Sequence, residues 1–112
     1  MARTYRILGQ SNPNANVLTT LYTVPASNSA IISSLVIANL NETDGTGNSF
    51  TLSVNTAGVG VSNSSYIAYR VNCPVKDTVK LTLGITLNAG SVLSANANSG
   101  NFAFTAFGTE IY

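Results

Sequence analysis

The stretch VKLTLGITL, Val79–Leu87, sets Val79, Leu81, Leu83, Ile85 and Leu87 at alternate positions, with Lys80, Thr82, Gly84 and Thr86 between them. In an extended chain successive side chains point to opposite faces, so this segment has one apolar and one polar face. The same alternation recurs in SFTLSVN, where Phe50, Leu52 and Val54 oppose Thr51, Ser53 and Asn55. The repeating unit is a half-buried antiparallel strand. Helical spacing fits poorly, because β-branched residues and Asn, Ser, Thr and Gly are frequent and good helix formers are sparse.

Working outward from Val79–Leu87, turn-forming clusters punctuate the chain at GQSNPNAN, PASNSA, NETDGTGN, AGVGVSNS, NCPVKD, NAGS and ANSGN. Between them lie about eight short strands, near residues 4–8, 17–24, 30–40, 49–56, 65–71, 78–87, 91–96 and 101–111. One open sheet of this composition would leave an apolar face wet. The expected fold is therefore all-β, an antiparallel two-sheet sandwich of jelly-roll type with little or no helix.

Two segments depart from simple alternation. AIISSLVIANL is apolar on both faces, Ile31, Leu35 and Ile37 on one and Ile32, Val36, Ala38 and Leu40 on the other. Such a strand is either central in its domain or covered by another subunit. FAFTAFGTEI begins with Phe102, Phe104 and Ala106 on one face and resumes with Phe107, Thr109 and Ile111 on the other. That slip predicts a β-bulge or bend around Ala106–Gly108.

A chain of 112 residues suits a single domain. Charged residues make up only 8% of it, and Leu81–Gly108 contains none; a typical chain has about 25%. Asn, Ser, Thr and Gly stand in their place, and little net charge keeps copies apart. The five cations, Arg3, Arg6, Arg70, Lys76 and Lys80, are too scattered to track a phosphate backbone, so nucleic acid is not an expected partner. No apolar run approaches the ~20 residues that cross a bilayer, and the N-terminus lacks the apolar core of a signal peptide. A cytoplasmic site of synthesis and no membrane partner are expected.

Residues 1–16 read as an N-terminal strand or arm followed by a polar, Pro-containing spacer, and 17–112 as the sandwich domain. Pairing as an edge strand and projecting onto a neighbour are both open; an arm would make Arg3, Tyr5 and Arg6 adhesive, and its deletion would spare the fold.

The residues for catalysis are scarce. There is no His, the acids are Glu42, Asp44, Asp77 and Glu110, and Cys73 stands alone without a base to activate it. No phosphate-cradling loop or Cys/His ligand cluster is present, so the chain reads as no enzyme and as having no cofactor. Cys73 reads as a small buried hydrophobe. NETDGTGN could offer calcium the oxygens of Asn41, Glu42, Asp44 and Asn48, but it departs from EF-hand spacing and reads better as a hairpin loop with Asp44-Gly45 and Gly47 at positive φ. Whether a metal occupies residues 41–48 stays open. SYIAYR could place Tyr66 on one face of a strand and Tyr69 on the other, where a tyrosine ring beside fixed polar groups would suit a sugar.

The phrases RTYRILGQS, LYTVP at 21–25, YIAY at 66–69, LTLGITLNAG at 81–90 and FTAFGTEI at 104–111, in that order and spacing, resemble a family of small virion structural proteins of tailed bacteriophages, particularly those of cyanobacteria. The resemblance spans nearly the whole chain apart from NETDGTGN. It implies a β-rich capsid decoration (cement) protein, located in the virion after synthesis in a bacterial host. Major capsid protein would be its partner and a homotrimer its favoured assembly. A tail, baseplate or fibre component, able to bind host-surface glycan, is the alternative, with tail proteins as partners. On this reading the strand at 30–40 and the Phe-rich strand at 101–111, with Phe102 and Phe107, supply core and subunit interface. Arg3, Tyr5 and Arg6 would help attach to the shell, and of Tyr66 and Tyr69 either one packs in the core while the other rims an interface, or the pair serves a sugar site.

Overall fold

Each alternating segment forms a strand where the pattern places one. The structure, a computed structural model, describes residues 3–42, 48–56 and 60–112, with Leu83 described through its backbone alone. The strands are β1 (Arg3–Ser11), β2 (Thr19–Thr23), β3 (Ser29–Asn39), β4 (Ser49–Asn55), β5 (Tyr66–Asn72), β6 (Thr78–Leu87), β7 (Val92–Ala97) and β8 (Phe102–Ile111). A single 3-10 turn, Asn63–Ser65, is the only helical element among the described residues.

The strands form two antiparallel sheets of four, ordered β1-β8-β3-β6 and β2-β7-β4-β5. The chain changes sheet at every connection except the β4–β5 step. This is the topology of a jelly roll. Phe50 of the second sheet meets Phe102 and Phe104 of the first, with ring centroids 6.4 and 6.2 Å away, at a tilt and edge-on. Ile32, Leu35, Ile37, Leu52 and Leu93 are fully buried around them. Phe102 is therefore a core residue and not an interface residue, since no part of it reaches the surface.

Residues 3–11, in the segment that the sequence left open as strand or arm, are part of the sandwich. β1 pairs with β8 from Arg3↔Ile111 to Ser11↔Phe104 and contributes buried Leu8 to the core. Of strand and arm, the strand is realised, because ladder hydrogen bonds and Leu8 burial hold it to the domain.

The irregularity expected at Ala106–Gly108 is present, but its extra residues lie on the neighbouring strands. β1 inserts Leu8 opposite the Phe107–Ala106 step, and β3 inserts Ser33 opposite the Gly108–Phe107 step. The Ser33 hydroxyl donates to the Phe107 carbonyl at 3.1 Å, which holds the bulge closed. β8 keeps one phase throughout: Phe102, Phe104, Ala106, Gly108 and Glu110 are all buried. The apparent slip in sequence arose because a glycine and a glutamate occupy core-side positions. Gly108 is required there, since a Cβ would collide with the carbonyl oxygen of Ile31.

The Ser33 bulge also corrects the faces of β3. One extra residue reverses the alternation, so Ile32, Leu35 and Ile37 face the core, while Ile31, Val36 and Ala38 are half-buried on the outer face.

Amide side chains tie the loops at one end of the sandwich. Asn39 donates to the Cys73 carbonyl at 2.8 Å and accepts from the Asn41 backbone at 3.0 Å. Asn101 donates to Asn41 Oδ1 at 2.7 Å, and Asn12 donates to the carbonyls of Gly100 and Phe102 at 2.9 and 2.6 Å. Much of the Asn that replaced charge is used to satisfy loop backbone.

Candidate functional site

Two outer surfaces of the sandwich carry five of the residues that the sequence singled out, Arg3, Tyr5 and Phe107 on one and Tyr66 and Tyr69 on the other. The first is the outer face of β1-β8-β3-β6. Tyr5 stands opposite Thr109, which stands opposite Ile31; Ile7 pairs with Phe107; Val36 lies between Thr105 and Lys80; Ala38 lies beside Ala103. Tyr5 is 73% exposed and Ile7 46%. Arg3 on β1 and Lys80 on β6 are the charges on this face, one at each edge strand. No described segment packs over it.

Arg6 is not part of that face. Its Nε donates to Glu110 Oε1 at 2.9 Å and Nη2 lies 2.7 Å from the same oxygen, while the Tyr22 hydroxyl donates to Glu110 Oε2 at 2.6 Å. Glu110 and Tyr22 are buried, so the carboxylate has charge compensation from Arg6 and a hydrogen bond at each oxygen. The Tyr22 hydrogen bond, outweighing burial and joined by Arg6, holds the Glu110 carboxyl below its ordinary 4.5. Burial, then the bond to Glu110, pushes the Tyr22 hydroxyl far above its ordinary 10.0. Arg6 is a structural partner of Glu110, whereas Arg3 and Tyr5 are free to meet another molecule.

The second surface is the outer face of β2-β7-β4-β5. Contrary to the alternation, Tyr66 and Tyr69 meet, with ring centroids 4.9 Å apart in an edge-to-face arrangement. The cause is irregular pairing along β5: its register slips between Ala68 and Tyr66 and again between Val71 and Ala68. Arg70 sits within the second slip at φ 49°, a left-handed conformation that an arginine rarely adopts. Its backbone N–H donates to Thr51 Oγ1 at 3.1 Å, and its guanidinium lies 5.3 Å from the Tyr69 ring centre.

Beside these tyrosines is a groove of about 220 Å³ lined by Asn16, Ser49, Thr51, Arg70, Asn96, Ala97 and Asn98. Thr51 and Asn96 are directly paired across β4 and β7. Asn96 Oδ1 and, on the same face, Ser53 Oγ are buried without a hydrogen-bond partner among the described residues. Arg70 has no carboxylate partner among them. The sequence singled out Tyr66 and Tyr69 but not Thr51, Asn96 or Asn98. Nothing distinguishes these from the chain's many other amides and hydroxyls until strand pairing sets them side by side.

No other chemistry collects among the described residues. Among the described residues no group of three His, Cys, Asp or Glu side chains could hold a metal, and no helix is long and apolar enough to cross a membrane. Asp44, Gly45 and Gly47, on which the calcium and hairpin readings of NETDGTGN rest, lie outside the described residues. Cys73 is fully buried, and burial followed by the negative charge of Asp77 raises its thiol pKa, the opposite of an activated nucleophile. No family model matches the sequence, and no curated protein matches it.

Proposed function

We propose that this chain is a non-enzymatic virion structural protein, a capsid cement that stabilises joints between major capsid protein subunits as a homo-oligomer, with a trimer as the expected assembly. The observation that carries the reading is the outer face of β1-β8-β3-β6, where Tyr5, Ile7, Ile31, Val36, Ala38 and Phe107 are interleaved with the hydroxyls of Ser34, Thr82, Thr105 and Thr109 and charge stands only at the edge strands. Exposed Tyr5 and Ile7 set among hydroxyls suit a surface that another protein covers. Depletion of charge with retention of aromatics is also the composition of an interface core. The phage resemblance supplies the kind of partner, and attachment through several linked copies lets modest contacts hold a shell.

Quantitative mass spectrometry of purified virions tests this directly. A copy number comparable to that of the major capsid protein supports a cement. A few copies per particle would move the protein to the tail, and its absence from particles would end the virion reading.

A further inference from the structure

We propose that the groove beside Arg70 binds a carboxylated saccharide, one uronic-acid ring with its carboxylate on the Arg70 guanidinium and its ring hydroxyls against the amides and hydroxyls that line the groove, Ser49, Thr51, Asn96 and Asn98. This inference does not rest on the cement reading, because the groove lies on the opposite sheet from the face that carries that reading.

The groove is polar and its charge is uncompensated. The guanidinium presents planar donors with no carboxylate partner among the described residues, which is the fork that receives a carboxylate in two parallel hydrogen bonds. Thr51 Oγ1 accepts from the Arg70 N–H and keeps its own hydrogen to donate. Asn98 uses its Oδ1 to accept from the Ser49 backbone at 3.0 Å, which turns its amide hydrogens into available donors. The site thus offers amides, hydroxyls and one positive charge, a set that matches a polyol bearing an acid.

Backbone geometry builds the site. Arg70 at φ 49° and Asn16 at φ 61° line it in left-handed conformations, and Asn16 is pinned by its N–H to the Ala97 carbonyl at 2.7 Å. Residues held in sparsely populated backbone regions concentrate at binding sites. The volume of about 220 Å³ is smaller than the roughly 300–1,000 Å³ that encloses drug-sized ligands, so a single ring suits it. Tyr69, 56% exposed beside Arg70, gives the next ring of a chain an aromatic surface to lie against.

The test is titration of the full chain, followed by amide and side-chain NMR, with methyl β-glucuronide, methyl β-glucoside and N-acetylglycine. The expected result is saturable shifts at Thr51, Arg70, Asn96 and Asn98 with the glucuronide at a Kd of about 1 mM, with each other probe at least about tenfold weaker. Arg70→Ala should weaken glucuronide binding by about tenfold or more. Asn96→Ala should weaken it as well, with the spectrum reporting that both variants stay folded. Three results would overturn the proposal: no shifts at the groove, N-acetylglycine binding as well as the glucuronide (a peptide-carboxylate site), or full affinity retained in a folded Arg70→Ala variant.

Discussion

Glu110, near the end of the last strand, receives the Tyr22 hydroxyl at 2.6 Å from the opposite sheet, so one hydrogen bond joins the two layers of the sandwich. Arg6 completes the arrangement from the edge strand. Three elements distant in sequence share one charge.

The consequence for pH follows from the direction of each shift. Glu110 titrates lower in the folded chain than its ordinary 4.5, so its contribution is complete above that value and is lost as pH falls through the lowered one. Tyr22 titrates above its ordinary 10.0, so its contribution is complete below that value and is lost as pH rises toward the raised one. Melting temperature should plateau between these limits. Tyr22→Phe leaves Glu110 Oε2 without its donor and should cost about 1–3 kcal/mol at neutral pH. It should also shrink the acid-side loss; a Tyr22→Phe acid limb identical to the parent's would contradict this account.

Gly108 and Gly84 should respond oppositely to a methyl group. A Cβ at Gly108 meets the Ile31 carbonyl, and one at Gly9 meets the Leu21 carbonyl, whereas at Gly84 there is open space. Gly108→Ala and Gly9→Ala should each lose about 2 kcal/mol or more in urea unfolding, through forced backbone shifts. Gly84→Ala should match the parent or exceed it by up to about 1 kcal/mol, since glycine weakens a strand interior.

Cys73 should be silent to a thiol reagent in the native protein. It is fully buried and its thiol pKa is raised, so both access and thiolate fraction are low. Labelling should proceed at the rate of unfolding and become rapid in denaturant. Prompt labelling of the native chain would show that the loop at Cys73 opens.

Removing Arg3–Ser11 should damage the fold rather than trim an arm. The deletion strips Leu8 from the core, leaves the β8 edge unpaired and takes Arg6 from buried Glu110. A truncated chain with the parent's melting temperature would restore the arm reading. Tyr5→Ser and Ile7→Ser touch only the exposed outer face, so they should leave stability within about 0.5 kcal/mol and lower self-association measured by sedimentation.

Alternation at Val79–Leu87 and Phe50–Val54, with turn clusters between, was enough to read from the sequence alone eight strands, two layers and a core containing Phe50 and Leu52. Local periodicity carries that information because each strand must bury one face wherever it pairs. Bulges do not announce themselves in the same way. Ser33 and the slips around Arg70 change which residues share a face, and their positions follow from how neighbouring strands pair. Hence Ile31 sits with Val36 and Ala38, and Tyr66 touches Tyr69, against the simple period of two. The bond between Tyr22 and Glu110 and the pairing of Thr51 with Asn96 were likewise decided only by tertiary structure, because each joins strands far apart in the chain. Composition alone told that charge was scarce; the folded sheets decided that the remaining Glu110 is buried in partnership while Arg70 faces an open groove.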